Sequence, residues 1–181
     1  TSGWRTMVIG IARHCVAPQL PARSRYDERN PALTITDWDR RFAELAFLEA
    51  KTSADNGGLP IGSALAAGER LIASGHNQRV QKGDPILHGE MDCLRNAGRQ
   101  KTYRGMTLYT SLSPCLMCAG TIAQFSIPRV VVNDTANFGG NEDWLRSKGV
   151  EVIDLQHADS IALMARFIRE NPALWNEDIG V

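Results

Sequence analysis

Two short stretches far apart in the chain must meet if either is to do chemistry: His88-Gly89-Glu90, and Pro114-Cys115-Leu116-Met117-Cys118. One imidazole and two thiols suit a borderline-soft cation such as zinc. Three protein ligands leave the fourth tetrahedral corner open for water, which a catalytic zinc needs and a structural zinc lacks. Glu90 lies two residues beyond His88. It can reach a water on that ion without binding the ion itself. Any fold of this chain therefore has to bring these two segments together.

The pattern around them predicts how. Thr36 or Asp37 caps a first helix, with Ala43, Ala46, Phe47 and Ala50 at i, i+3, i+4, i+7, and Asn56-Gly57-Gly58 stops it. Ile61 to Ala67 and Arg70 to Ser74 read as a hairpin about Gly68-Glu69. After a polar loop from Asn77 to Asp84, a helix starts near His88 and ends at Gly98. Met106 to Thr110 is a strand. Ser113-Pro114 then opens a helix, with Ser as cap and Pro at its first position. Strands at Ile127 to Val132 and Val150 to Leu155 enclose a short helix, Glu142 to Lys148. The last helix runs from Asp159 to Glu170. The late strands are separated by helices and should lie parallel, covered on both faces. The expectation is an α/β chain, a three-layer α/β/α sandwich around a mixed five-stranded sheet.

The 181 residues suffice for one domain with a proper core. Residues 1–34 look unlike the rest, with Pro18, Pro21 and Pro31, Arg23, Arg25 and Arg29, and no clear period. We read them as an irregular extension, and residues 35–181 as the domain. Formal net charge is zero, and no basic stripe is visible. That favours a small neutral substrate over a nucleic acid held through its phosphates. No apolar run has the length of a membrane span. Met7 to Ile11 is too short for a signal peptide and is followed by Arg13 and His14. The chain therefore reads as cytoplasmic, with no membrane partner.

The cysteines admit two other roles. A redox pair at Cys115 and Cys118 would leave His88-Gly89-Glu90 without a role. A structural site would need Cys93 as fourth ligand, but that residue points from a different face of the His88 helix. Cys15 and Cys93 read as small apolar residues. His14, His76 and His157 lack a partner pattern and read as non-catalytic. Near a helix N-terminus the two motif cysteines favour the thiolate. Zinc lowers the pKa of a bound water toward about 7. Glu90 is then the catalytic proton carrier. It takes a proton from water and can return it to the substrate.

The pattern H-x-E…P-C-x-x-C resembles that of the zinc nucleobase deaminases. From about Trp38 to Val181 the chain resembles more specifically the fungal-type cytosine deaminases of the cytidine deaminase superfamily. The matching stretches include Leu59-Pro60-Ile61-Gly62, Gly75-His76-Asn77, Gln81-Lys82-Gly83, Leu87-His88-Gly89-Glu90, Leu108 to Cys115, Asn137-Phe138 and Trp175 to Gly180. The resemblance implies a cytidine deaminase-like sheet, a homodimer, one zinc per chain, and deamination of free cytosine to uracil and ammonia in pyrimidine salvage. It implies that Asn77, Gly89 (through its N–H) and Asp178 bind the polar edge of the base. Phe138 and Trp175 would pack on the ring, and Ile61, Leu112 and Ser113 would line the pocket. A closing tail with a tryptophan and a carboxylate leaves no room for a ribose. Without the resemblance, Trp175 also reads as a core tryptophan anchoring the tail. Leu116 and Met91-Asp92-Cys93 depart from the fungal pattern. The alternatives are another small amino-heterocycle (isocytosine, 5-methylcytosine, guanine or creatinine), adenosine in transfer RNA, and a non-catalytic zinc module.

Overall fold

The computed structural model describes residues 35–181; the expected extension 1–34, with Cys15 and His14, lies outside them. Helix α1 (Asp37–Asp55) starts where the sequence predicts. Thr36 is the N-cap, and Thr36 and Asp39 form a reciprocal capping box. The hairpin of β1 (Gly62–Ala67) and β2 (Arg70–His76) turns at Gly68, whose φ of 58° suits only glycine well. A four-residue helix α2 (Arg79–Lys82) sits inside the polar loop. Then follow α3 (Gly89–Ala97), β3 (Met106–Thr110), α4 (Leu116–Gln124), β4 (Arg129–Val132), α5 (Glu142–Ser147), β5 (Glu151–Asp154) and α6 (Ala158–Glu170). A final helix, α7 (Pro172–Ile179), starts on proline and occupies what the sequence presented as a tail.

The sheet order is β2-β1-β3-β4-β5. β1 runs antiparallel to both its neighbours, and β3, β4 and β5 run parallel. This is the expected mixed five-stranded sheet. One face buries Phe42, Ala43 and Ala46 of α1 against Ala64, Ala66, Tyr109, Val131 and Ile153. The other buries Cys93 and Leu94 of α3, Ala119 and Ile122 of α4 and Leu145 of α5 against Leu65, Leu108, Val130 and Val152.

Strand direction decides where a site can form. Ser63 at the start of β1 pairs with Thr110 at the end of β3, and Gly62 pairs with His76 at the end of β2. The entry of β1, the exit of β2 and the carboxyl ends of β3 and β4 thus share one edge of the sheet. Open α/β sheets bind ligands at the carboxyl ends of their strands.

Candidate active site

Two helix N-termini converge at that edge. His88 is the N-cap of α3 and Cys115 the N-cap of α4, both in extended conformation. Here the structure corrects the sequence reading of the α4 start. Ser113 is not the cap and Pro114 is not the first helical residue. Pro114 restricts the residue before it to extended backbone. Cys115 remains extended too (φ −65°, ψ 171°), so the helix begins at Leu116. The Ser113 hydroxyl donates instead to Glu142 at the start of α5. The Asn141 side chain donates to the Pro114 carbonyl at 3.0 Å, so this loop is held from two sides.

His88, Cys115 and Cys118 place one donor atom each within 4.8 Å of one another. Cys115 Sγ lies 3.5 Å from His88 Nδ1. Zn–S bonds of about 2.3 Å and Zn–N bonds of about 2.0–2.1 Å at tetrahedral angles separate such donors by about 3.5–3.8 Å. The cradle therefore fits zinc. No fourth His, Cys, Asp or Glu joins this group among the described residues. Cys93 is buried on another side of α3, its Sγ 3.5 Å from the Ala73 carbonyl oxygen.

The charges suit a cation. Cys115 is pulled down to about 4, chiefly by the thiol of Cys118 donating to it. Burial opposes this, and the hydrogen bond and charge of His88 assist it. Cys118 is pushed up by that same hydrogen bond and by its burial. Thiolates are favoured beside the N-terminal ends of α3 and α4 by the aligned peptide dipoles. Glu90, in the first turn of α3, is buried, and burial with the neighbouring Cys115 raises it to about 7 against the pull of His88. A carboxyl group held there exchanges protons readily near neutral pH.

A pocket opens onto Glu90 and the cradle. Its walls include Ile61 before β1, Leu112 and Ser113 after β3, and Phe138 after β4. Trp175, Asp178 and Ile179 of α7 close it. Phe138 meets Trp175 edge to face, ring centroids 5.7 Å apart. Trp175 also packs with Leu59, Ile61, Leu112 and Met164, so it belongs to this core cluster as well as to the pocket wall. Of the residues expected to bind substrate, six line the pocket: Ile61, Leu112, Ser113, Phe138, Trp175 and Asp178. Asn77 stands behind them, fully buried, its Nδ2 donating to Asp178 Oδ1 at 3.3 Å. Gly89 begins α3, and a Cβ there would lie 3.0 Å from the Ile61 carbonyl oxygen, so only glycine fits without displacement. The sequence did not single out Ile179, Glu142 or Arg79. The last donates to Asp178 Oδ1 at 2.9 Å.

His76 and His157 do structural work elsewhere. His76 Nδ1 is 2.8 Å from Glu49 Oε2. His157 caps α6, its Nδ1 accepting from the Ser160 N–H at 3.3 Å.

An α/β/α sandwich with a three-ligand cradle and a buried carboxyl group beside it defines a hydrolytic zinc site. Residues 36–134 match the family described as the cytidine and deoxycytidylate deaminase zinc-binding region. The chain is 48% identical over 145 residues to cytosine deaminase of Candida albicans, a match spanning 78% of this chain and 97% of that protein. It is 38% identical over 96 residues to a tRNA-specific adenosine deaminase of Buchnera aphidicola, spanning 51% and 64% respectively. A solved structure from work on A-to-I editing by tRNA:A34 deaminases superposes with a TM-score of 0.61 at 28% identity, covering 68% of this chain and 99% of that one. The guanine deaminase of Nitrosomonas europaea shares the fold, with a TM-score of 0.63 at 17% identity over 77% of this chain and 88% of that one. The chain belongs to the cytidine and deoxycytidylate deaminase family, and is a zinc-dependent deaminase, a hydrolase of carbon–nitrogen bonds.

Proposed function

We propose that the substrate is free cytosine, converted to uracil and ammonia. The observation that carries this is the closure of the pocket by α7. Trp175 and Ile179 wall it, and Asp178 turns a carboxylate into it, with the Asn77 amide behind. Such a site offers a ring an aromatic and aliphatic wall plus a short polar edge, and leaves little space for a sugar. The extended similarity to the Candida albicans cytosine deaminase supports the same reading, since it spans nearly all of that protein.

His88, Cys115 and Cys118 would hold the zinc. When bound, it supplies Lewis acidity that makes water nucleophilic at neutral pH. Glu90 holds the proton given up by that water. It would pass that proton to the ring nitrogen beside the amine-bearing carbon, then take the second proton of the water from the hydroxyl now on that carbon and hand it to the amine, so that the C–N bond breaks and ammonia leaves. Asn77, the Gly89 N–H and Asp178 bind the polar edge of the ring, and Phe138 and Trp175 pack on it and close the pocket. Ile61, Leu112 and Ser113 fix its position. Fixed partners of this kind favour the transition state over the substrate.

The experiment is a panel of amino-heterocycles on zinc-loaded protein: cytosine, 5-methylcytosine, isocytosine, guanine, creatinine, cytidine and an adenosine-bearing RNA hairpin. Cytosine should lead in kcat/KM, and cytidine should fail. A clear lead by another amine would overturn the assignment, because hydrogen-bond mismatches in a buried site cost large factors.

We read residues 35–181 as the catalytic domain and the chain as a cytoplasmic homodimer. Among the described residues no helix is long and apolar enough to cross a membrane. Light scattering coupled to size exclusion should give twice the chain mass; a monomer would contradict this reading.

A further inference from the structure

One arginine grips the helix that closes the pocket. Arg79 Nη1 donates to Asp178 Oδ1 at 2.9 Å and Arg79 Nη2 to Glu177 Oε1 at 3.1 Å. The backbone N–H of the same residue donates to Asn77 Oδ1 at 3.1 Å, while Asn77 Nδ2 reaches Asp178 Oδ1 at 3.3 Å. The side chain of Arg79 therefore anchors α7, and its main chain orients the amide of Asn77. A ring is closed: Arg79 to Asp178, Asp178 to Asn77, Asn77 back to Arg79.

Exposure decides which contact matters. The Arg79 side chain is 11% exposed, that of Asp178 4% and that of Glu177 66%. A pair that open to water contributes little. The desolvated pair is different, since removing one partner strands a buried charge. Arg79 Nε is buried without a hydrogen-bond partner, so the guanidinium is held by the carboxylates of α7. Arg79 is not among the residues lining the pocket.

We propose that Arg79 is a positioning residue for the reaction, acting through Asp178. It holds that carboxylate beside Asn77, so that the two present one polar edge to the ring, and it keeps Trp175 and Ile179 closed over the pocket. This rests on the reading of Asn77 and Asp178 as the ring-edge contacts. Arg79 is neither in the cradle nor in the pocket wall, and it reaches them only through Asp178, whose Oδ1 also lies 3.7 Å from His88 Nε2; its loss therefore falls first on substrate binding and leaves the chemical step largely intact.

The test uses the full zinc-loaded chain and measures zinc content, kcat and KM for cytosine. Arg79→Gln should raise KM about tenfold or more, with zinc still bound and kcat within about threefold. Arg79→Lys keeps one charged contact and loses the fork, so its KM should rise only about threefold. Glu177→Gln should stay within about twofold of wild type. In an Asp178→Asn background, Arg79→Gln should add less than about twofold, since there is no carboxylate left to position. An unchanged KM in Arg79→Gln, or effects of the two substitutions that multiply, would overturn the proposal. If Arg79→Gln does not fold, Arg79→Lys carries the test, and a wild-type KM there is the overturning result. Should wild-type protein leave cytosine untouched, the substrate reading fails separately. The same KM comparison on whichever amine of the panel is turned over then decides the role of Arg79.

Discussion

Asp39→Ala should destabilise the protein by about 3 kcal/mol through a network that never touches the active site. Asp39 is a buried carboxylate in the first turn of α1. It accepts from Tyr109 Oη at 2.8 Å, from Arg129 Nη1 at 2.5 Å and Nη2 at 3.2 Å, and from the Thr36 N–H at 2.8 Å. These bonds join α1 to β3 and β4. Breaking a buried charge pair costs about 3–5 kcal/mol, and loss of the capping box about 1 kcal/mol more. Against this, Arg129 keeps Glu151 at 3.2 Å and is itself 18% exposed, which brings the expected sum down to about 3 kcal/mol. Urea unfolding of zinc-loaded protein measures it. With a slope of about 2 kcal/mol/M, the midpoint should fall by about 1.5 M. The pH dependence has a definite sign. Burial raises the Asp39 pKa, but Arg129, Thr36 and Tyr109 together pull it below its ordinary value. A carboxylate depressed in the folded state contributes its full stability above the unfolded pKa of about 3.9. It loses that contribution as pH falls through the lower folded value. The gap between wild type and Asp39→Ala should therefore be widest near neutrality and shrink below about pH 4. Acid release of zinc is common to both proteins and cancels in the difference. A gap under about 0.5 kcal/mol at neutral pH, or one that does not shrink in acid, would refute the reasoning.

Three further outcomes are expected. Glu90→Gln should keep one zinc per chain, measured by elemental analysis, and lose about a thousandfold in kcat, because the proton carrier is gone and the cradle is not. Cys118→Ser should lose stoichiometric zinc and activity together; chelation of the wild type should do the same, with activity returning when zinc is restored. Gly62→Ala should cost about 2–3 kcal/mol in urea unfolding. A Cβ there would lie 2.4 Å from both the Ala46 carbonyl oxygen and the Ala50 nitrogen, backbone atoms of α1 that cannot rotate aside.

The parts of this protein that the sequence made legible are those set by local rules. Apolar spacing in α1, the glycine turn at Gly68 and the strand–helix alternation after α3 gave the layers and the sheet type. The cradle was legible because its residues sit at two helix starts in short, chemically specific spacings. What escaped depends on distant contacts. Arg79 is an ordinary charge in a polar loop until α7, about a hundred residues on, supplies its partners. Helix α7 is short, and its start at Pro172 reads as an ending. Ser113 looked like a helix cap because Ser-Pro before an apolar run usually is one. Its hydroxyl is instead claimed by Glu142, twenty-nine positions away. Strand order likewise followed from packing of whole elements and could not be read from the periodicity.

X-ray absorption at the zinc edge of the loaded protein addresses the metal centre itself. Two sulfur neighbours at about 2.3 Å and two nitrogen or oxygen neighbours at about 2.0–2.1 Å are the expected shell, from Cys115, Cys118, His88 and a solvent oxygen. Three or four sulfurs around the ion would mean a closed, structural site and would contradict the account.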